Sequence, residues 1–211
     1  MSFAASRPIT RQALLFRQIA DPMQPDSQSY TPPETASLRP LHDSYWVIPD
    51  KLLAGEYPGV SYSPEITRRR LEAFLNGGFE TYINLTCEGE VEEYAALLHE
   101  LARARGRTVE CLRHPIGDYG MPSVTQMRAI LDAIDDALAA GRKVYVHCQG
   151  GIGRTGTTVG CYLVRQGRSG PQALRQLAGW WRMVPKSQRF PNSPETLEQE
   201  KFVLNWRESK E

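Results

Sequence analysis

The chain has 211 residues, of which 25 are basic and 24 acidic, so its formal net charge is +1 at neutral pH. This length suffices for one domain with a full hydrophobic core. The near balance of charges disfavours a nucleic-acid partner, because proteins that bind nucleic acids carry a basic patch or stripe. No apolar run reaches the ~18 residues that a membrane span requires. Four scattered cysteines without a secretory segment indicate a reducing compartment, so we expect a cytoplasmic protein.

Two regions of different composition divide the chain. Residues 1–40 contain six prolines among many Ser, Gln and Thr residues, a composition that favours extended and poorly packed chain. We predict a flexible tail over residues 1–40 and a folded domain over residues 41–211. The first 20 residues hold three arginines and no acidic residue, which is also typical of an organellar targeting peptide. A disordered or docking arm is the preferred interpretation, and the targeting peptide is its alternative.

Strands and helices alternate in the folded domain. Short apolar runs predict strands over residues 46–48, 52–54, 81–86, 108–112 and 144–146. Periodic apolar positions and helix-end residues predict helices over residues 63–76, 88–105, 123–141 and 155–166, then one that begins at Pro171 and one that begins at Ser193. This alternation predicts an α/β fold: a mostly parallel twisted sheet flanked by helices, with ligands at the carboxyl ends of the strands.

The most informative segment is residues 147–156, with the sequence HCQGGIGRTG, which links the last predicted strand to a helix. We name it the glycine loop. Its closely spaced glycines let the backbone curl so that successive N–H groups point inward. Such a nest at a helix N-terminus binds anions, because unpaired donors and the positive end of the helix dipole meet there. The sequence therefore predicts an anion site formed by this loop.

Three side chains of the glycine loop suit chemistry on a phosphoryl group. Cys148 lies at its entrance, where the field that attracts an anion also stabilises a thiolate, so we expect this cysteine to be ionised at neutral pH. Arg154 lies at its exit and offers a planar fork of donors that holds two oxygens at once. Thr155 follows and is expected to donate its hydroxyl to the sulfur when the sulfur is the leaving group.

The spacing of a cysteine, five residues and an arginine, with His before and Thr after it, resembles the signature of the protein tyrosine phosphatase superfamily. Flanking stretches from about Tyr45 to Trp206 look like its compact dual-specificity branch. The resemblance implies the cysteine-dependent phosphatase fold and makes residues 41–211 a catalytic domain. It also implies that Cys148 is the nucleophile and that the phosphate oxygens are held by Arg154 and by the backbone of Gln149, Gly150, Gly151, Ile152 and Gly153.

A second loop supplies a candidate general acid. Residues 113–122 (RHPIGDYGMP) contain two prolines and two glycines, which favour a mobile loop at the same edge of the sheet. Closure of this loop over substrate would expel water around Asp118 and favour its protonated form. In the resembling family the matching loop carries the general acid, so the resemblance implies this role for Asp118. A turn-capping aspartate is the alternative.

Three further residues have expected supporting roles. His147 is expected to form hydrogen bonds behind the glycine loop and to orient it. Residues 195–199 (ETLEQ) resemble the Q-x-x-x-Q segment that positions the hydrolytic water in tyrosine phosphatases, with Gln199 matching the second glutamine. Glu195 replaces the first glutamine, so water positioning by Glu195 stays open against a plain acidic first helical turn.

Cys87 is a candidate redox partner of the catalytic cysteine. It follows a predicted strand at the same sheet edge and approximates the position of a second cysteine in some dual-specificity relatives. We expect it to trap oxidised Cys148 as a reversible disulfide, which would shield the sulfur from conversion to sulfinic acid. A buried, inert thiol is equally compatible with the sequence.

Together these residues predict a phosphomonoesterase that needs no metal or cofactor and acts on phosphotyrosine in proteins, with phosphoserine or phosphothreonine as additional substrates. A phosphorylated protein is thus the expected partner, and a monomer is the favoured state. Phosphoinositides and other small phosphomonoesters rank second, because residues 149–153 carry no charge. A phosphate-binding module without turnover and a sulfurtransferase, which needs no general acid, are the remaining alternatives.

Overall fold

The computed structural model describes residues 38–208. Most of the tail predicted over residues 1–40, including the candidate targeting peptide, lies outside the described residues. The domain boundary at residue 41 therefore stays a prediction. Within the described range, no helix combines the length and the apolar character needed to cross a membrane.

A five-stranded sheet forms the centre of the described domain. The strands are β1 (Ser44–Ile48), β2 (Leu52–Gly55), β3 (Phe79–Asn84), β4 (Glu110–Arg113) and β5 (Lys143–His147). Their order across the sheet is β1-β2-β5-β3-β4, and β1 alone runs antiparallel to its neighbour in this sheet. The predicted α/β fold with a mostly parallel sheet is therefore confirmed.

Helices cover both faces of this sheet. One face is covered by α1 (Pro64–Asn76) and α2 (Ala95–Arg103). The helices on the other side are α3 (Val124–Ala139), α4 (Gly153–Arg165), α5 (Gly170–Trp181) and α6 (Leu197–Leu204). A short 3-10 helix, Pro185–Gln188, follows α5.

The helix predicted over residues 88–105 begins only at Ala95, so its first part was predicted wrongly. The preceding residues form a turn-rich loop, because the carboxylate of Glu90 is bonded to Arg154 and also accepts a hydrogen bond from the N–H of Cys87 at 2.9 Å. Tyr94, which lies within the range predicted as helix, is nevertheless buried. The apolar periodicity therefore continued into residues 88–94, although polar contacts keep these residues from forming helix.

The last helix begins at Leu197 rather than at Ser193, where the sequence predicted its start. Ser193 and Pro194 are buried, and the hydroxyl of Ser193 donates to the carbonyl of Ile152 at 2.8 Å. Thr196 caps the helix instead, in a capping box with Gln199. The residues predicted to open this helix therefore fasten the C-terminal segment to the glycine loop.

Side chains of the strands alternate between two cores on opposite faces of the sheet. In β5, Val144 and Val146 belong to the core beneath α3 and α4, while Tyr145 belongs to the core beneath α1 and α2. Trp180 and Trp181 are buried in the first of these cores. Because β5 is covered on both faces, the glycine loop leaves a strand that is rigidly held.

Helix α4 is buried along most of its length, because α3, α5 and α6 surround it. Two contacts require glycine in this helix. A Cβ on Gly160 would lie 2.7 Å from the side chain of Val203 in α6, and a Cβ on Gly156 would lie 2.3 Å from the hydroxyl of Ser193. The helix that carries Arg154 in its first turn therefore packs closely against the C-terminal segment.

His147, the last residue of β5, is a polar group inside an aromatic cluster. Its ring stacks on Tyr145 and lies edge-on to Tyr57 and Tyr94. The Tyr94 hydroxyl is 2.8 Å from Nε2, and Nδ1 is 3.2 Å from the carbonyl of Cys148. Because a carbonyl only accepts, this network assigns the proton to Nδ1 and makes Nε2 the acceptor for Tyr94. Burial lowers the pKa of His147 to about 3, so the ring is neutral.

We predict that this buried neutral histidine makes the domain less stable as the pH falls. The unfolded chain protonates the ring below its ordinary pKa of 6.5, whereas the folded chain resists protonation until about pH 3. The contribution of His147 is therefore full above the unfolded pKa and is lost as the pH falls through this window, with a slope approaching ~1.4 kcal/mol per pH unit. Urea unfolding at about pH 7.5 and about pH 5 measures the loss.

The matched variant for this measurement is His147→Gln, which removes the titrating ring but keeps one donor and one acceptor. The difference in unfolding free energy between the two pH values should be smaller in this variant than in the wild type, by about 2 kcal/mol. Equal pH dependence in the two proteins would contradict the prediction.

Candidate active site

Four loops meet at the carboxyl edge of the parallel strands. His147 at the end of β5 pairs with Gly55 of β2 and with Asn84 of β3, and Asn84 pairs with Arg113 of β4. The strands therefore end level with one another, and the segments that follow them emerge side by side. The glycine loop lies in the middle of this edge because β5 is the central strand.

Carbonyls of the glycine loop are bonded on its outer side. Groups from three other parts of the chain donate to them: the Tyr57 N–H to Gln149 at 2.9 Å, the Lys186 ammonium to Gly150 at 3.1 Å, and the Ser193 hydroxyl to Ile152 at 2.8 Å. The C=O and N–H of a trans peptide point in opposite directions, so outward carbonyls turn the following N–H groups inward. This arrangement has the form of an anion-binding nest.

Cys148 lies inside this nest and is only 2% exposed. The N–H of Gly151 donates to its Sγ at 3.3 Å. Gly151 has a φ of 75°, and a Cβ there would lie 2.5 Å from the backbone of Gly55, so both its conformation and its packing require glycine. Two other thiols are disfavoured as thiolates: burial raises the pKa of Cys111 to about 12 and also raises the pKa of Cys161.

Arg154 is held by an ion pair that the sequence analysis missed. Its guanidinium is 2% exposed and donates to both carboxylate oxygens of Glu90, at 2.8 and 2.6 Å. It also donates to the carbonyl of Ile116 and to the carboxylate of Asp118, each at 3.0 Å. The hydrogen bond from Arg154 lowers the pKa of Glu90, so both partners are charged. The guanidinium is therefore fixed in orientation by the protein itself.

Asp118 belongs to a turn whose geometry depends on glycine. The N–H of Gly120 donates to the carbonyl of Gly117 at 2.8 Å, and a Cβ on Gly120 would lie 2.8 Å from that same oxygen. Between them Tyr119 adopts a φ of 56° and leaves its ring exposed beside the pocket. The side chain of Asp118 is 54% exposed although it contacts Arg154. Asp118 therefore lies at the rim of the pocket.

A second carboxylate, Glu195, lines the same pocket as Cys148 and Asp118. Its Oε2 lies 3.2 Å from the position that a Cβ on Gly153 would take. Burial raises the pKa of Glu195, and the charge of Asp118 raises it further. Gln199 is fully buried, and its Oε1 accepts the N–H of Glu195 at 3.1 Å. The structure thus places Glu195 at the pocket and Gln199 behind it, as a support for the backbone.

Thr155 and Cys87 are the remaining residues for which the sequence suggested a role. Within residues 38–208, the buried hydroxyl of Thr155 has no hydrogen-bond partner and can therefore donate to a ligand or to a sulfur. Cys87 is half-buried, and both its thiol and that of Cys148 are free. Disulfide formation between the two under oxidation stays a prediction.

Sequence reasoning missed three residues that support the site: Glu90, Tyr94 and Lys186. Glu90 and Tyr94 were hidden inside an apparent amphipathic helix, although a run of acidic residues after a strand at the ligand edge was a usable sign. Lys186 bonds a residue that is 36 positions away in the sequence, and no local pattern marks it.

Comparisons with known proteins agree with this geometry. A family model described as "Polymorphic toxin system, DSP-PTPase phosphatase" matches residues 61–168. The Mus musculus protein tyrosine phosphatase domain-containing protein 1 is 34% identical over 131 residues, which cover 57% of this chain and 17% of that protein. The Homo sapiens dual specificity protein phosphatase CDC14C is 28% identical over 130 residues, which cover 60% of this chain and 27% of that protein. The chain therefore spans less than a third of either relative.

The fold also recurs among solved structures. The crystal structure of Tk-PTP in the active form superposes with a TM-score of 0.56 and 25% identity, and the alignment covers 77% of this chain and 93% of that chain. Because the family model matches half of the 211 residues and includes both the glycine loop and the Asp118 loop, the chain belongs to the DSP-PTPase family, in the dual-specificity branch of the protein tyrosine phosphatase superfamily.

Proposed function

We propose that this chain is a cysteine-dependent phosphomonoesterase that hydrolyses phosphotyrosine in protein substrates through a cysteinyl-phosphate intermediate. The observation that carries the proposal is the pocket that Cys148, Arg154, Asp118 and Glu195 line together. Phosphoryl transfer to sulfur needs a nucleophile, a fixed cation and a proton donor. A phosphate-binding module needs no proton donor, and neither does a sulfurtransferase, so the two carboxylates favour the hydrolase.

In the first step the thiolate of Cys148 attacks phosphorus in line, and the bond from phosphorus to the ester oxygen breaks. The inward N–H groups of the glycine loop and the fork of Arg154 hold the three equatorial oxygens. Asp118 gives its proton to the departing oxygen, which leaves as a neutral phenol or alcohol. Glu90 keeps the guanidinium in place while negative charge develops on the phosphoryl group.

In the second step water attacks the cysteinyl-phosphate and the bond from phosphorus to sulfur breaks. Asp118, now a carboxylate, takes the proton of the water, so it acts as a base after acting as an acid. Glu195 lies in the same pocket and is the candidate for holding that water. The hydroxyl of Thr155, which has no partner among the described residues, donates to the departing sulfur.

The residues that line the pocket favour a substrate with one phosphate on an aromatic ring. Among the described residues that form it, Arg154 is the one cation, and Asp118 and Glu195 add negative charge. A headgroup with several phosphates would meet these carboxylates with its additional charges, which is unfavourable. The exposed ring of Tyr119 offers an aromatic wall for the phenyl ring of phosphotyrosine.

The covalent intermediate provides the primary test of the proposed function. Rapid quenching of the wild type with a radiolabelled phosphotyrosine peptide should trap phosphate on Cys148, and Cys148→Ser should trap none and lose turnover. Cys111→Ser, which changes a half-buried thiol outside the pocket, should behave as the wild type does. Full activity of Cys148→Ser would refute the proposal. If the enzyme hydrolysed phosphoinositides in vesicles faster than the phosphotyrosine peptide, the proposed substrate class would change from phosphoproteins to phosphoinositides.

The roles of Asp118 and Glu195 can be distinguished by the effect of each variant on the pH dependence of kcat. Asp118→Asn should lower kcat for the phosphotyrosine peptide by a factor of about 10² to 10⁴ and abolish the loss of rate on the alkaline side, because the proton donor is gone. Glu195→Gln, the matched change of the other carboxylate that lines the pocket, should keep that alkaline limb and slow the hydrolysis of the intermediate. If Glu195→Gln lost the alkaline limb of the pH–rate profile while Asp118→Asn kept it, Glu195 rather than Asp118 would be the general acid.

The ion pair behind Arg154 should control substrate affinity. Glu90→Gln removes the charge that fixes the guanidinium, so KM for the phosphotyrosine peptide should rise about tenfold or more. Glu93→Gln is the control, because Glu93 pairs with Arg113 at the surface and should leave KM unchanged. Steady-state kinetics measures both variants. Similar KM values for Glu90→Gln and the wild type would show that the pair does not orient Arg154.

A further inference from the structure

Lys186 lies outside the pocket, on the 3-10 helix after α5, yet its side chain reaches the glycine loop. Its ammonium donates to the carbonyl of Gly150 at 3.1 Å and to the carboxylate of Glu56 at 2.5 Å. Asp43 lies 3.8 Å from the ammonium, and its carboxylate accepts the backbone N–H of Lys186 at 3.1 Å. The lysine side chain is 19% exposed, so its charge is largely shielded from water by two carboxylates and one peptide oxygen.

The Gly150 carbonyl and the Gly151 N–H belong to one peptide group. In a trans peptide these two groups point in opposite directions, and here the N–H donates to the Sγ of Cys148 at 3.3 Å. A cation on the oxygen end draws electron density from the N–H end, and hydrogen bonds linked through one peptide strengthen each other. The charge of Lys186 is therefore transmitted to the sulfur through a single peptide group.

This peptide needs an external anchor because it lies between two glycines. Residues without a Cβ populate many backbone conformations, so the Gly150 to Gly151 peptide has little intrinsic preference for one orientation. Packing of Gly151 against Gly55 limits where the loop lies. The bond from Lys186 to the Gly150 oxygen favours the orientation in which that oxygen faces outward.

We propose that Lys186 is a positioning residue of the phosphate site: it holds the Gly150 to Gly151 peptide with its oxygen outward and its N–H toward Cys148, and thereby sets the affinity of the glycine loop for phosphate oxygens. Glu56 and Asp43 hold the ammonium at the peptide oxygen. The inference rests on the proposed function of the pocket.

Arg70 of α1 provides a matched control. It pairs with Oε1 of Glu56 at 3.1 Å, whereas Lys186 bonds Oε2 of the same carboxylate. Lys186→Met and Arg70→Met therefore each remove one positive charge next to Glu56. Of the two, Lys186→Met alone removes the donor to Gly150. Lys186→Arg keeps a cation and several N–H donors at the position and serves as the conservative variant.

The test measures three quantities on the full chain of each variant: the dissociation constant of inorganic phosphate by calorimetry, KM and kcat for a phosphotyrosine peptide, and the free energy of unfolding in urea. Lys186→Met should raise the phosphate dissociation constant and KM by about tenfold. Arg70→Met should stay within about twofold of the wild type, and Lys186→Arg should restore most of the affinity. Lys186→Gln replaces the methionine variant if that variant does not fold.

Equal changes in Lys186→Met and Arg70→Met would overturn the inference, because the lysine would then act only through the charge of Glu56. A lower unfolding free energy in Lys186→Met with unchanged phosphate affinity and KM would also overturn it, because the lysine would then be a structural brace. Absence of turnover in the wild type would contradict the proposed function. The comparison of phosphate affinities tests the positioning role independently of that outcome.

Discussion

The site depends above all on the direction of a few backbone carbonyls. The N–H groups of the glycine loop can face a ligand because oxygens of the same loop are occupied from outside, by Tyr57, Lys186 and Ser193. These donors come from the segment after β2, from the 3-10 helix and from the segment before α6. The candidate anion site formed by ten consecutive residues is therefore a property of the whole domain, because distant segments contact those residues and favour their curled conformation.

The fold could largely be predicted from the sequence, because apolar periodicity reports which faces are buried. The alternation of short strands and amphipathic helices gave the mostly parallel sheet, and the central place of β5 follows from its apolar residues on both faces. The prediction failed at residues 88–94 and at Ser193. Both segments are held by polar contacts, Glu90 with Arg154 and Ser193 with Ile152. Periodicity contains no information about such contacts between distant residues.

The same limit applies to the pocket. Cys148 and Arg154 stand in one short motif, so their proximity follows from local sequence alone. Glu90 is separated from Arg154 by 64 positions and Lys186 from Gly150 by 36, and only the folded chain shows that these pairs touch. Residues that form the pocket were thus accessible to sequence reasoning, whereas the charged residues that hold the loop and its arginine were not.

Asp118 competes with any anionic ligand of the pocket, because both bind the guanidinium of Arg154. The carboxylate is tethered, so its local concentration at the guanidinium is far higher than that of any dissolved anion. A dianion that enters the pocket must displace the Asp118 carboxylate from Arg154. The apparent affinity for the dianion is therefore lower than the intrinsic affinity of the arginine, because the arginine is free for only a fraction of the time. If the pocket acts as proposed, ligand entry releases this carboxylate from the guanidinium, and the freed side chain must first take up a proton before it can give one to a departing oxygen. Anion recognition and the protonation of the acid would then be linked through one exchange of partners.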